Sequence, residues 1–376
     1  MTNISEVQQF PLWDKLKNKR LPLSFELEIT ARCNMSCRHC YINLQANDAE
    51  ALADELPAAE ILDIASQAAD LGAVWCLITG GEPLLRKDFT EIYLGLKRLG
   101  LLVSVFTNGA LINKNHVKLF KKYPPRDIEL TVYGVTPEIY ESVTRKAGSF
   151  KAFSNALQLL RNADVPFRLK AMAIQSNLHE QQEIAKFCCA WTKDFFRFDP
   201  QLHLRFDGDP TRNAEIRAER LAPAQIVALE EADERRITAM RKNCDSLIDQ
   251  KPTRSSSNLL LQCGAGLGSF NVGYDGCFRL CSSLWADGTT YDLKAGSLHE
   301  AWHDFVPQVR NLRTKSQEFN QKCGKCDLYN LCLWCPANEH LETGELSGVS
   351  TYFCEVANER AKSIKKAANA EELREE

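Results

Sequence analysis

The sequence has no surplus of either charge: 46 Lys and Arg stand against 49 Asp and Glu, for a formal net charge of −3. A surface that grips nucleic acid or an acidic membrane needs a basic excess that this chain does not have. Long apolar runs are missing as well. No stretch approaches the ~18 apolar residues of a membrane-spanning helix. The N-terminal MTNISEVQQFPLWDKLKNKR also lacks the apolar core of a secretory signal. There is no low-complexity segment and no internal repeat beyond alternating strands and helices. These absences speak against nucleic-acid and membrane partners and lead us to expect a cytoplasmic protein. Cysteine, by contrast, is abundant. Fifteen of the 376 residues are cysteines, and they are clustered. Without a secretory signal, such density points to metal or redox chemistry rather than to disulfides.

Short apolar runs alternate with helical patterns over residues 22–210. SFELEIT (24–30), VWCLITGG (74–81), LLVSVFTNG (101–109), IELTVYG (128–134), FRLKAMAI (167–174) and LHLRF (202–206) read as strands. Most lack strict alternation, as parallel strands covered on both faces do. PAAEILDIASQAADLGA (57–73), DFTEIYLGLKRLG (88–100) and SFKAFSNALQLLRNA (149–163) read as helices between them. Six such repeats make an α/β fold, either a partial barrel or a doubly wound sheet, with its chemistry at the C-terminal strand ends. Three unusual turns fall there: CNMSCRHC (33–40), GGEP (80–83) and TNG (107–109). We expect an extension at 1–21, the βα region at 22–225, a charged helical linker at 226–258, a cysteine-rich region at 259–360 and a helical tail at 361–376.

Iron–sulfur cubes normally take four thiolates. Cys33, Cys37 and Cys40 supply three, which leaves one iron open, and an open position is what separates a catalytic metal from a structural one. His39 is a poor fourth ligand for zinc, because a neighbour of Cys40 cannot easily turn back onto the same ion. CNMSCRHC resembles the CxxxCxxC signature of the radical S-adenosylmethionine (SAM) enzymes, in which an aromatic residue or His before the last Cys is usual. The resemblance implies a TIM-like partial (β/α)6 barrel and an open iron that SAM chelates. It also implies one-electron cleavage of SAM to a 5′-deoxyadenosyl radical, which abstracts hydrogen from a substrate. Thr79-Gly80-Gly81-Glu82-Pro83 is similar to the family's GGEP loop, where Glu82 would accept from the SAM ammonium. By the same resemblance Asn108 is a polar SAM contact, Thr131 meets the ribose and Arg145 pairs the SAM carboxylate. Strand four ends here in Tyr133-Gly134, where many relatives have Asp-Gly, so Tyr133 either lines the substrate pocket or packs.

CGKCDLYNLCLWCP (323–336) spaces its cysteines too tightly for a zinc ribbon. With Cys263, Cys281 and Cys354 it resembles the SPASM domain, a small C-terminal extension that carries two auxiliary 4Fe–4S clusters. The resemblance assigns Cys263, Cys281 and Cys335 to one cluster and Cys323, Cys326, Cys332 and Cys354 to the other, making three clusters in all. The last pair departs from the pattern, with two intervening residues rather than three. Cys277 is either a fourth ligand of the first auxiliary cluster or a small buried hydrophobe beside it. Cys76, Cys188, Cys189 and Cys244 read as ordinary thiols.

The resemblance implies a ribosomally made peptide as substrate, modified by cross-linking, epimerisation or oxidation. Alternatives are oxidation of a small-molecule alcohol or tetrapyrrole precursor and, from another class, a non-catalytic electron carrier. Residues 1–21 leave no room for a winged-helix leader-binding domain, so recognition falls to a separate leader-binding protein or to the barrel mouth. A flavodoxin or ferredoxin would supply electrons. Ser282 follows Cys281, where sulfatase-maturing relatives tend to have an acidic base. For a catalytic base the sequence offers Asp207 and Asp209 in RFDPQLHLRFDGDP (197–210), alongside Tyr133 as a pocket residue.

Overall fold

Five apolar runs place five parallel strands where the sequence puts them. The computed structural model describes residues 19–192, 196–234, 236–238, 258–332 and 334–375. Strands β1 (Ser24–Glu28), β2 (Trp75–Thr79), β3 (Leu102–Thr107), β4 (Asp127–Val132) and β5 (Arg168–Met172) pair in sequence order, all parallel. Val103, Val105, Ile128 and Leu130 are completely buried in this sheet. The helices between them pack by apolar stripe. Ala58–Asp70, for example, buries Ile61, Ile64, Ala65 and Ala68, the 3-4-7 spacing of one helical face.

The sixth strand differs from expectation. β6 is Phe198–Asp199, pairing with Ala171 and Met172 of β5, and 202–206 is irregular chain. Pro200, which has no N–H to donate, follows directly and ends the pairing. Leu202 and Leu204 are buried without joining the sheet, so an alternating apolar pattern there records burial only. The charged segment after it is broken into Pro210–Glu219 and Pro223–Ala232, with Pro223 opening the second helix. That second helix crosses the boundary expected at 225.

The cysteine-rich region joins the same sheet. β7 (Ser269–Val272) lies parallel to β1, from Ser24 opposite Ser269 to Leu27 opposite Val272. The Gly273–Gly276 turn leads antiparallel into β8 (Cys277–Arg279), and β9 (Thr290–Asp292) closes that edge. The full order is β9-β8-β7-β1-β2-β3-β4-β5-β6. Helix Thr351–Glu375 carries Cys354 and runs through the boundary expected at 360. Cys244 and most of the N-terminal extension lie outside the described residues. No helix among the described residues is long and apolar enough to cross a membrane.

Candidate functional site

Four strand ends converge on the 33–40 loop. After β1, Thr30–Arg32 runs so close to the Gly80-Gly81 turn that a Cβ on Gly80 would sit 2.2 Å from the Thr30 carbonyl oxygen, and one on Gly81 would sit 2.4 Å from that of Arg32. Only glycine fits, and Gly80, with φ 136°, also needs glycine's conformational freedom. The two glycines therefore serve a backbone-to-backbone approach: Gly81 N–H donates to Thr30 O (2.6 Å) and Glu82 N–H to Arg32 O (2.9 Å). Arg86 adds a brace, donating to Ile29 O at 2.8 Å and Leu56 O at 3.0 Å.

Glu82 is wholly buried and holds the next strand end. Its carboxylate accepts from Leu84 N–H (3.0 Å), the Thr107 hydroxyl (2.8 Å) and Asn108 N–H (2.8 Å). Burial pushes its carboxyl up to about 7, against the pull of those three donors. Asn108 in turn donates to Asn34 Oδ1 at 2.8 Å, with Cys33 Sγ 3.7 Å away. Just after β4, Tyr133 lowers the cost of ionising the Cys37 thiol, and its ring packs on His39 with centroids 5.3 Å apart. Tyr133 is thus packed against the cysteine loop. Helix Pro137–Thr144 offers its last carbonyls to the loop backbone, Val143 O to Arg38 and Thr144 O to Ser36.

Within this frame the three thiols feel one another. Cys37 is pushed well up by burial and then by the charges of Cys40 and Cys33. Cys33 is pushed up to about 12, by burial and then by Glu82, with Cys40 adding to it. Three thiolates so placed need a compensating cation. The C-terminal thiols segregate the same way. Cys281, pushed up to about 12 chiefly by burial, also feels Cys335 and Cys263. Cys332, likewise raised to about 12 chiefly by burial, feels Cys354, Cys323 and Cys326. The Cys277 thiol, raised chiefly by burial, is acted on by Arg279, Asp275 and Glu28. Among the described residues, no three His, Cys, Asp or Glu side chains are gathered for a single metal ion. Sets of three and four thiols in electrostatic reach of one another are the soft donors that an iron–sulfur cluster takes.

The matching family model is the radical SAM superfamily, over residues 27–188. This chain carries a radical SAM domain. That family implies SAM and a 4Fe–4S cluster, and Cys33, Cys37, Cys40, Glu82 and Asn108 lie inside the matched span. The radical SAM chain is 25% identical over 352 residues to the antilisterial bacteriocin subtilosin biosynthesis protein AlbA of Bacillus subtilis, covering 86% of this chain and 73% of that one. It is 24% identical over 356 residues to an AdoMet-dependent heme synthase of Oleidesulfovibrio alaskensis, covering 84% and 83%. Its fold matches Streptococcus suis SuiB bound to the precursor peptide SuiA with a TM-score of 0.68 at 18% identity, over 91% of this chain and 78% of SuiB.

Other residues singled out by sequence take different places. Arg145 caps its helix in a left-handed conformation and pairs with Glu215 at 2.6 Å. Arg212, which the sequence did not flag, shares Glu215 and donates to the Cys37 carbonyl at 2.8 Å. Thr131 is half-buried on β4 opposite Lys170, on the face of Glu129. Glu129, Glu26, Arg197, Ser104, Cys281 and Ser282 are among the residues lining a barrel cavity of about 290 Å³. Asp207 accepts from Arg205 Nε at 3.0 Å, and Asp209 caps helix Pro210–Glu219 through Thr211 and Arg212 N–H. Both aspartates are engaged in holding the rim. Asp209→Ala should therefore cost about 1 kcal/mol of stability, the usual worth of such a cap, while SAM cleavage persists. Thermal melting and product assay together check this, and abolished cleavage at unchanged stability would contradict it.

Proposed function

We propose that this radical SAM enzyme modifies a ribosomally made peptide and holds three 4Fe–4S clusters. Cys33, Cys37 and Cys40 bind the catalytic one; Cys263, Cys281 and Cys335 bind a second; Cys323, Cys326, Cys332 and Cys354 bind a third. The observation that carries this reading is the segregation of ten thiols into groups of three, three and four that interact within each group. A cluster at the first group supplies the electron that breaks a C–S bond of SAM. The protein's own residues do the rest. Glu82 locks the GGEP turn to β3, Tyr133 eases ionisation of the Cys37 thiol, and Arg212 fixes the Cys37 carbonyl. Glu82, Asn108 and Thr131 are the SAM contacts that this reading keeps, with Gly80 and Gly81 shaping the turn. Arg145 reaches SAM only by releasing Glu215.

Peptide modification is supported by the similarity to AlbA and by the fold shared with SuiB. A separate leader-binding protein and a flavodoxin or ferredoxin donor complete the proposal. Every described cysteine is a free thiol, which suits the reducing cytoplasm. The relative named as a heme synthase favours one second reading, oxidation of a tetrapyrrole precursor. Anaerobic, reduced protein should release 5′-deoxyadenosine from SAM and change the mass of a peptide encoded beside it. Cleavage with no peptide change but turnover of a tetrapyrrole would move the assignment to the second reading. Absence of cleavage would leave only an electron carrier.

A further inference from the structure

We infer that the Tyr140 hydroxyl donates a hydrogen bond to a sulfur of the cluster at Cys37, either Cys37 Sγ or a sulfide, and so raises its reduction potential. This role rests on the proposed ligation by Cys33, Cys37 and Cys40.

Tyr140 sits one turn into helix Pro137–Thr144, which Thr136 caps and Pro137 opens. Its side chain is fully buried. The ring is held on three sides, with centroids 5.5 Å from Tyr133, 5.6 Å from Phe150 and 5.1 Å from Phe153. The same helix fixes the loop on either side of Cys37, through Val143 O to Arg38 and Thr144 O to Ser36. Tyr140 therefore cannot drift relative to that cysteine. Its hydroxyl has no hydrogen-bond partner among the described residues, and the charges that reach it are those of Cys37 and Glu82.

A buried hydroxyl left without an acceptor costs about 1–3 kcal/mol. The buried Tyr93 hydroxyl, by contrast, donates to Tyr123 O at 2.7 Å. At Tyr140 the protein offers a buried donor with no acceptor, within electrostatic reach of a thiol whose metal would bring sulfur acceptors with it. A donor to a cluster sulfur stabilises the more negative, reduced form.

The test is an EPR-monitored redox titration of reconstituted full-length protein, following the signal that responds to SAM. Tyr140→Phe should keep the iron content and shift that midpoint potential downward. Installing 3-fluorotyrosine at position 140, a stronger donor of the same shape, should shift it upward. Equal potentials in wild type and Tyr140→Phe at equal iron content would overturn the inference. If the Phe variant loses iron, the fluorotyrosine protein decides, and an unmoved potential there overturns it. Wild-type protein without a SAM-responsive signal would instead sink the ligation reading itself.

Discussion

Replacing Cys33, Cys37 and Cys40 together with alanine should lower the iron content from about twelve to about eight atoms per chain and abolish SAM cleavage. The expectation follows from the separation of the thiol groups. Cys33 and Cys37 are raised in part by other thiols of their own loop, whereas the thiols that act most on Cys281 and Cys332 belong to their own C-terminal sets. Losing the first group therefore leaves the other two able to hold their iron. The fold should tolerate the change, because the Glu82 and Arg86 braces remain. Iron analysis with a SAM-cleavage assay reads both halves. Retention of about twelve irons would contradict the ligand assignment.

Glu82→Ala should destabilise the metal-free protein by about 3 kcal/mol or more. The change strands three donors, Leu84 N–H, Asn108 N–H and the Thr107 hydroxyl, in a buried site, each at about 1–3 kcal/mol before any relaxation. The wild type carries a second signature. Burial raises the Glu82 carboxyl from 4.5 to about 7, so the folded state holds that proton more tightly than the unfolded chain. The stability this adds is complete below about pH 4.5, declines as pH rises, and is gone above about pH 7. It amounts to about 3 kcal/mol, because a tenfold difference in proton affinity between the two states is worth ~1.4 kcal/mol. Denaturant titrations of metal-free protein across this window should show the decline in wild type and lose this contribution in Glu82→Gln. Identical pH profiles for the two proteins would exclude a titrating Glu82.

The strands and turns around the site were legible because each had a local cause. Parallel strands covered on both faces read as continuous apolar runs, and β1 to β5 fall on them. GGEP declared itself by composition, although its glycines turn out to admit backbone from Thr30–Arg32. What the sequence hid depends on partners distant along the chain. Asp207 and Asp209 stand out in the sequence as candidate bases, but their bonds to Arg205 and to the amides of Thr211 and Arg212 appear only in the fold. Arg212 reaches Cys37 across 175 positions, a contact that no local pattern encodes. Tyr140 was findable only in part: Thr136-Pro137 is a helix-opening signal that places it on a helix, but tertiary packing alone shows that its hydroxyl is buried without a partner.

The pairing of β7 with β1 has a mechanical consequence. The 33–40 loop hangs from one of these strands, and Cys281 follows the hairpin that begins with the other; the two strands are knitted from Ser24–Ser269 to Leu27–Val272. The gap between the 33–40 loop and Cys281 is therefore tied to the register of two paired strands, as on a ruler. Whatever crosses that gap, charge or reactant, meets a span that this pairing helps to set.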